Sequence, residues 1–166
     1  MIKLDHVPVG ADEVYEYYGD PDPAMSDQVD QAWLRKYTAI YEMPMRMPLS
    51  WDVKRVVKRV RIHKLVANSL LDALLAIRDY GGEEWVSQNR LNYYGGIYKF
   101  RPKRGINQLS LHSFAVAIDL NPHIAPLGKP SMQPHFIVEI FEERGWTYGG
   151  DFKRPDGMHF QAARDY

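Results

Sequence analysis

Apolar residues recur at three- and four-residue intervals through Ile62, Leu65, Val66, Leu70, Leu74 and Ile77, which predicts an amphipathic helix over about residues 60–79. Gly81-Gly82 ends it. His63 falls off the apolar face, as a solvent-facing or capping residue. A second stripe, Phe136, Ile137, Ile140 and Phe141, follows Pro134 and stops at Gly145, the pattern of a shorter helix. Between the two, Val116, Ile118 and Leu120 alternate with Ala115, Ala117 and Asp119, the period of a half-buried strand. One face of that strand is bulky. The other carries two small residues and an acid, leaving open space beside Asp119. From Trp146 the chain reads as a strand, a glycine turn, a loop and a final strand at Met158–Gln161.

The first fifty residues read differently. They are rich in Pro, Asp, Tyr and Met, and YGDPDPAMSD is turn-forming because each proline biases its predecessor away from helix. A short helix is expected near Asp27–Tyr37, and MPMRMPLSW is extended or irregular. Residues 1–50 are therefore taken as an N-terminal arm or extension and 51–166 as the domain that carries the chemistry. The order of helices, strand, helix and strands predicts an α+β fold, a small, mostly antiparallel sheet with helices packed on it.

Composition narrows the function. At 166 residues with 45% apolar and 25% charged residues, the chain supports one core. Its formal net charge is zero, which gives no global pull toward nucleic acid or membrane. Charge is uneven locally: acids dominate residues 1–30, and Lys54, Arg55, Lys58, Arg59, Arg61 and Lys64 form a basic run. These stretches are expected to neutralise each other, with a basic face toward an anionic polymer as the sharper alternative. The absence of cysteine excludes disulfides, thiolate metal sites and a cysteine nucleophile. No apolar run approaches the ~18 residues of a membrane span, and MIKLDHVPVGADEV has no apolar signal region. The expectation is a chain made in the cytoplasm.

Three residues suit a metal. Zinc accepts imidazole nitrogen and carboxylate oxygen, and a catalytic site keeps a fourth position for water; His112, Asp119 and His159 supply three such ligands. The odd separation of His112 and Asp119 would place them on opposite faces of one straight strand. His112 must therefore precede a bend, and His159 must come from a neighbouring strand. Asp156, three residues before His159, is placed to handle protons, and Arg101 to hold a carboxylate or oxyanion. On residue types alone the signal is weak, and ordinary partly buried histidines explain it as well. His6, His123 and His135 read as structural or solvent-facing. Tyr93, Tyr94, Tyr98 and Phe100 suit either a groove or, better, a core. A serine hydrolase elbow is missing.

SLHSFAVAID resembles the Ser-x-His-x-x-Gly-x-Ala-x-Asp signature of the zinc D-Ala-D-Ala carboxypeptidase and L-Ala-D-Glu endopeptidase family (peptidase family M15), and DGMHF is similar to its second element. The Gly-Trp and Gly-Gly segment before DGMHF resembles phage endolysin-type members, and KFRPKRG stands where the family has its substrate arginine. Order and spacing agree over roughly residues 62–161. The resemblance implies one Zn²⁺ per chain on His112, Asp119 and His159, Asp156 as general base and acid, Arg101 at the substrate or its oxyanion, and Ser110 steadying His112. It implies a monomeric hydrolase of the peptidoglycan stem peptide, an L-Ala-D-Glu endopeptidase of endolysin type acting on the cell wall after phage or prophage release. A D-Ala-D-Ala carboxypeptidase or dipeptidase is the alternative within the family, and a non-catalytic zinc-bearing binding domain the alternative outside it. Ala115 departs from the signature, standing where the family has glycine.

Overall fold

The computed structural model describes residues 1–103 and 105–166. It is α+β, as expected, with helices packed on a six-stranded sheet. Two helices, α1 (Gly10–Tyr18) and α2 (Gln31–Tyr37), precede a long hairpin of β1 (Thr38–Leu49) and β2 (Asp52–His63). Helices α3 (Lys64–Gly81) and α4 (Glu83–Gln88) follow, then β3 (Tyr94–Gly96), β4 (Ala117–Leu120), α5 (His135–Glu142), β5 (Thr147–Tyr148) and β6 (His159–Gln161). The strand order is β2-β1-β3-β4-β6-β5. All neighbours run antiparallel except β1 and β3.

The hairpin is the main difference from the sequence reading. Residues 60–63 end β2 rather than opening a helix, while MPMRMPLSW is extended as expected, within β1 and the turn after it. The register of β1 against β2 shifts between Glu42 and Met47, the interval that holds Pro44, where a missing N–H does least harm. All of the basic run but Lys64 lies along β2, an edge strand whose Lys54, Arg55, Lys58 and Arg59 are exposed. Lysine and arginine on an edge discourage pairing with other chains. Among the described residues, no ion pair joins this run to the acidic stretch at residues 1–30.

Helix α3 begins where His63 caps it. The His63 Nδ1 accepts from the Leu65 N–H at 3.3 Å, and its Nε2–H donates to the Tyr18 carbonyl at 3.2 Å. The buried face is Val66, Leu70, Ala73, Leu74 and Ile77, while Leu65 is 46% exposed. Asp30 caps α2 by accepting from the Ala32 and Trp33 N–H groups. Helix α5 starts just after Pro134, and the turn behind it closes on Gly145 at φ 89°.

One core runs through the molecule, with Tyr18, Met47, Ile62, Leu70, Phe114, Ile118, Phe141 and Phe160 fully buried. Residues before 50 belong to it: Val14, Tyr18 and Trp33 are buried there, and β1 pairs with β2 across that position. The N-terminal segment also grips the end of the sheet. The Tyr18 hydroxyl donates to the Ala162 carbonyl at 2.6 Å, and Gly10 N–H to the Arg164 carbonyl at 2.9 Å. Among the described residues, no helix is long and apolar enough to cross a membrane.

Candidate metal centre

The site is assembled at the middle of the sheet. Ser110 opens a 3₁₀ turn, Leu111–Phe114, its hydroxyl facing the His112 N–H at 3.4 Å. Ala115 then adopts the left-handed conformation, φ 57° and ψ 36°, and turns the chain into β4. This is the bend that lets His112 and Asp119 meet despite their odd separation. It also accounts for the glycine of the family signature, because left-handed backbone suits glycine and costs alanine about 1–2 kcal/mol. On β4, Asp119 stands directly opposite His159 of β6. On the other side β3 approaches so closely that a Cβ on Gly95 would lie 2.8 Å from the Asp119 Cβ.

His112, Asp119 and His159 converge. Asp119 Oδ1 lies 3.2 Å from His112 Nε2 and 3.0 Å from His159 Nδ1, and one ligand atom from each residue lies within 4.8 Å of the others. Each imidazole is oriented from behind. The His112 Nδ1–H donates to the Ile97 carbonyl at 2.7 Å. The His159 Nε2–H donates to Gln161 Oε1 at 3.1 Å, and Gln161 Nε2–H donates in turn to the Ala163 carbonyl at 3.0 Å, which fixes the amide's direction. The inward nitrogens therefore present lone pairs toward a carboxylate that only accepts. Such a convergence needs a cation or a borrowed proton at its centre. Burial alone raises the Asp119 carboxyl, but where His112 and His159 carry the borrowed proton inward their hydrogen bonds outweigh burial and hold the group well below the usual carboxylate range. Burial opposes the charge on His159, yet Asp119 raises its pKa.

The donor set fits zinc. In a tetrahedron with bonds of ~2.1 Å the donors stand roughly 3.4 Å apart, close to the two Asp119–histidine spacings. Oxygen and nitrogen donors without thiolate match catalytic rather than structural zinc sites.

Two cavities meet at His112 and Asp119. One, of about 350 Å³, is lined by Asp156, Phe152, Arg154, Gln161 and Tyr166; the other, of about 630 Å³, by Trp51, Tyr94, Tyr98 and Lys99. Arg101 and Lys103 line both. Asp156 has a buried Oδ1 without a hydrogen-bond partner among the described residues. Burial pushes its carboxyl above the ordinary range, the Asp119 charge adds to the rise, and His159 and Arg101 oppose it. Arg101 is carried on a segment clamped to the 3₁₀ turn: its N–H donates to Ser113 Oγ, and its carbonyl accepts from the Ser110 N–H. Tyr93, Tyr94, Tyr98 and Phe100 are all partly buried: Tyr94 and Tyr98 line the larger cavity, Tyr94 also packs on the core, and Tyr93 packs on His123. His6 pairs with Glu13, His123 packs on Tyr93 and His135 faces Glu139, all outside the cluster.

The sequence reading missed Gln161, Lys103 and Arg154. Gln161 was accessible, since a residue two positions along a strand shares the face of His159. The Ile97 carbonyl had no sequence signal.

Fold and site thus define a sheet-borne candidate metal centre of the hydrolytic type, with room for a substrate on either side. Residues 104–162 match the family model described as D-alanyl-D-alanine carboxypeptidase, and this match supports membership of the M15 peptidase family. The matched segment includes Ser110, all three candidate ligands and Asp156, while Arg101 and Lys103 lie just before it. No curated protein and no solved structure matches the chain.

Proposed function

We propose that this chain is a zinc-dependent peptidase that hydrolyses an amide of the peptidoglycan stem peptide, and that its bond is the internal one between L-Ala and D-Glu. The family match supports a peptidase acting on peptidoglycan. The endopeptidase reading is carried by the cleft, whose cavities extend to both sides of the His112–Asp119 pair. A terminal residue fills one side of the cut and ends there, whereas an internal bond needs room for the chain to continue on both sides, which two adjoining cavities offer.

His112, Asp119 and His159 would hold the ion. When bound, zinc supplies Lewis acidity, lowering the pKa of water toward ~7 and polarising the scissile carbonyl. Asp156, desolvated and without a partner on Oδ1, accepts the proton of the attacking water and delivers it to the departing amine. Arg101 holds the oxyanion or a substrate carboxylate. Ser110 steadies the turn that carries His112.

The family description favours a second reading, a D-alanyl-D-alanine carboxypeptidase. Digestion of purified wall with and without chelator separates the readings: new D-Glu amino termini support the endopeptidase, and released D-Ala the carboxypeptidase. Asp156→Ala should keep about one zinc and lose roughly 10²–10⁴ in rate. If wild type binds zinc but cuts nothing, the site belongs to a non-catalytic binding domain. Release by a phage or prophage lysis system is part of the same proposal, and export of the chain alone by a conventional pathway would count against it.

A further inference from the structure

The same cleft carries more positive charge than the proposed chemistry uses. Three cations, Arg101, Lys103 and Arg154, line the cavity on the β6 side. Among the described residues its only acids are Asp119, committed to the two histidines, and Asp156. Among the described residues none of the three cations has a carboxylate in ion-pair contact.

Lys103 is the best placed of them. Its Nζ donates to Gln108 Oε1 at 2.8 Å and sits 3.8 Å above the Tyr166 ring. The strap that carries it is closed by the Lys103 N–H to Gln108 carbonyl bond at 2.7 Å, and the Tyr166 hydroxyl donates to the Leu109 carbonyl, so platform and strap are locked together. A neutral amide and an aromatic face position an ammonium without neutralising it. Burial has already stripped part of its hydration, which lowers its pKa to about 8. An ammonium held this way gains from an anionic partner entering from the cleft. Arg154 borders the β6-side cavity alone, and its guanidinium runs past Gly128, where a Cβ would lie 3.5 Å from Nε.

We propose that Lys103 and Arg154 form a carboxylate-reading wall, which selects a peptide bearing a free acid on the residue that enters the β6-side cavity, next to the bond cut. This inference rests on the peptidase reading of the site. It adds that the substrate is an acidic peptide and that its amidated counterpart is discriminated against.

The test uses two synthetic stem peptides that differ only in whether the α-carboxyl of D-Glu is free or amidated. With zinc-loaded wild type, the free acid should be cut with a kcat/KM about tenfold higher, the loss on amidation lying in KM. Lys103→Met and Arg154→Met together should bring the ratio near one. Lys103→Arg should retain part of it, and Lys153→Met, on an exposed residue outside the cavity lining, should leave it unchanged. Calorimetric binding of both peptides to chelator-treated protein gives the same comparison without turnover, and thermal melting checks that each variant folds. An acid-to-amide ratio that survives the double substitution, in turnover and in binding, overturns the proposal. If no peptide is cut but the acid still binds better and the double variant abolishes that preference, the wall stands and the peptidase reading falls.

Discussion

Replacing Gln161 with leucine tests whether the hydrogen bond behind His159 builds the metal site. Gln161 is 6% exposed, accepts from the His159 Nε2–H at 3.1 Å and is anchored to the Ala163 carbonyl. Leucine has similar bulk but no acceptor. The His159 N–H would be left buried and unpaired, at a cost of about 1–3 kcal/mol, and the ring would be free to turn its Nδ1 away from Asp119. That range corresponds to roughly 5- to 150-fold in an equilibrium constant, in line with the ~10–100-fold expected for partners behind a metal-bound histidine. Competition against a chromogenic chelator at constant pH measures zinc affinity directly. Gln161→Glu provides the contrast: a carboxylate accepts more strongly from the imidazole but loses its donor to Ala163, so its affinity should fall between leucine and wild type or exceed wild type. If the leucine variant melts like wild type under chelation and binds zinc within twofold of it, the hydrogen bond does not orient His159 and the reasoning fails.

Three other outcomes follow from the structure. Ala115→Gly should raise stability by about 0.5 kcal/mol, relief of left-handed strain outweighing added chain entropy and a lost methyl; urea unfolding that shows a loss above about 1 kcal/mol would refute this. His63 is fully buried, and burial lowers its pKa to about 4 from an ordinary 6.5, so the unfolded chain takes up its proton first. The contribution is present above pH 6.5 and is lost as pH falls toward 4, by roughly 3 kcal/mol in all; in chelated protein, His63→Asn should flatten the stability–pH curve over that window, and an unchanged slope would exclude His63 as its source. Zinc should raise the melting temperature of wild type but not of His112→Ala, and equal shifts would place the ion elsewhere.

The convergence of the candidate ligands was legible because they lie in short, locally ordered segments. The alternation of Val116, Ile118 and Leu120 marks β4, and the stripe after Pro134 marks α5. The bend before β4 was required by the spacing of His112 and Asp119, and left-handed Ala115 supplies it. The hairpin was not legible. Prolines in β1 and five cations in β2 hide the strand period, and the pairing that stabilises both is a tertiary fact. Ile62 joined the helical pattern by coincidence of spacing, although it ends a strand. Helix α1 was missed although Val14 and Tyr18, four apart, are its buried pair. The second cavity depends on how β3 and the turn at Trp51 come together, which no local pattern encodes.

The third candidate ligand stands 40 residues beyond Asp119, on a strand whose following residues are held by the N-terminal segment. A growing chain that has formed the turn bearing His112 and the strand bearing Asp119 still has only two of the three candidate ligands. His159 joins them only when β6 docks against β4, with the Tyr18 hydroxyl bonded to the Ala162 carbonyl behind it. Completion of the three-residue cluster is thereby tied to a long-range pairing, so a chain lacking β6 would lack its third side chain.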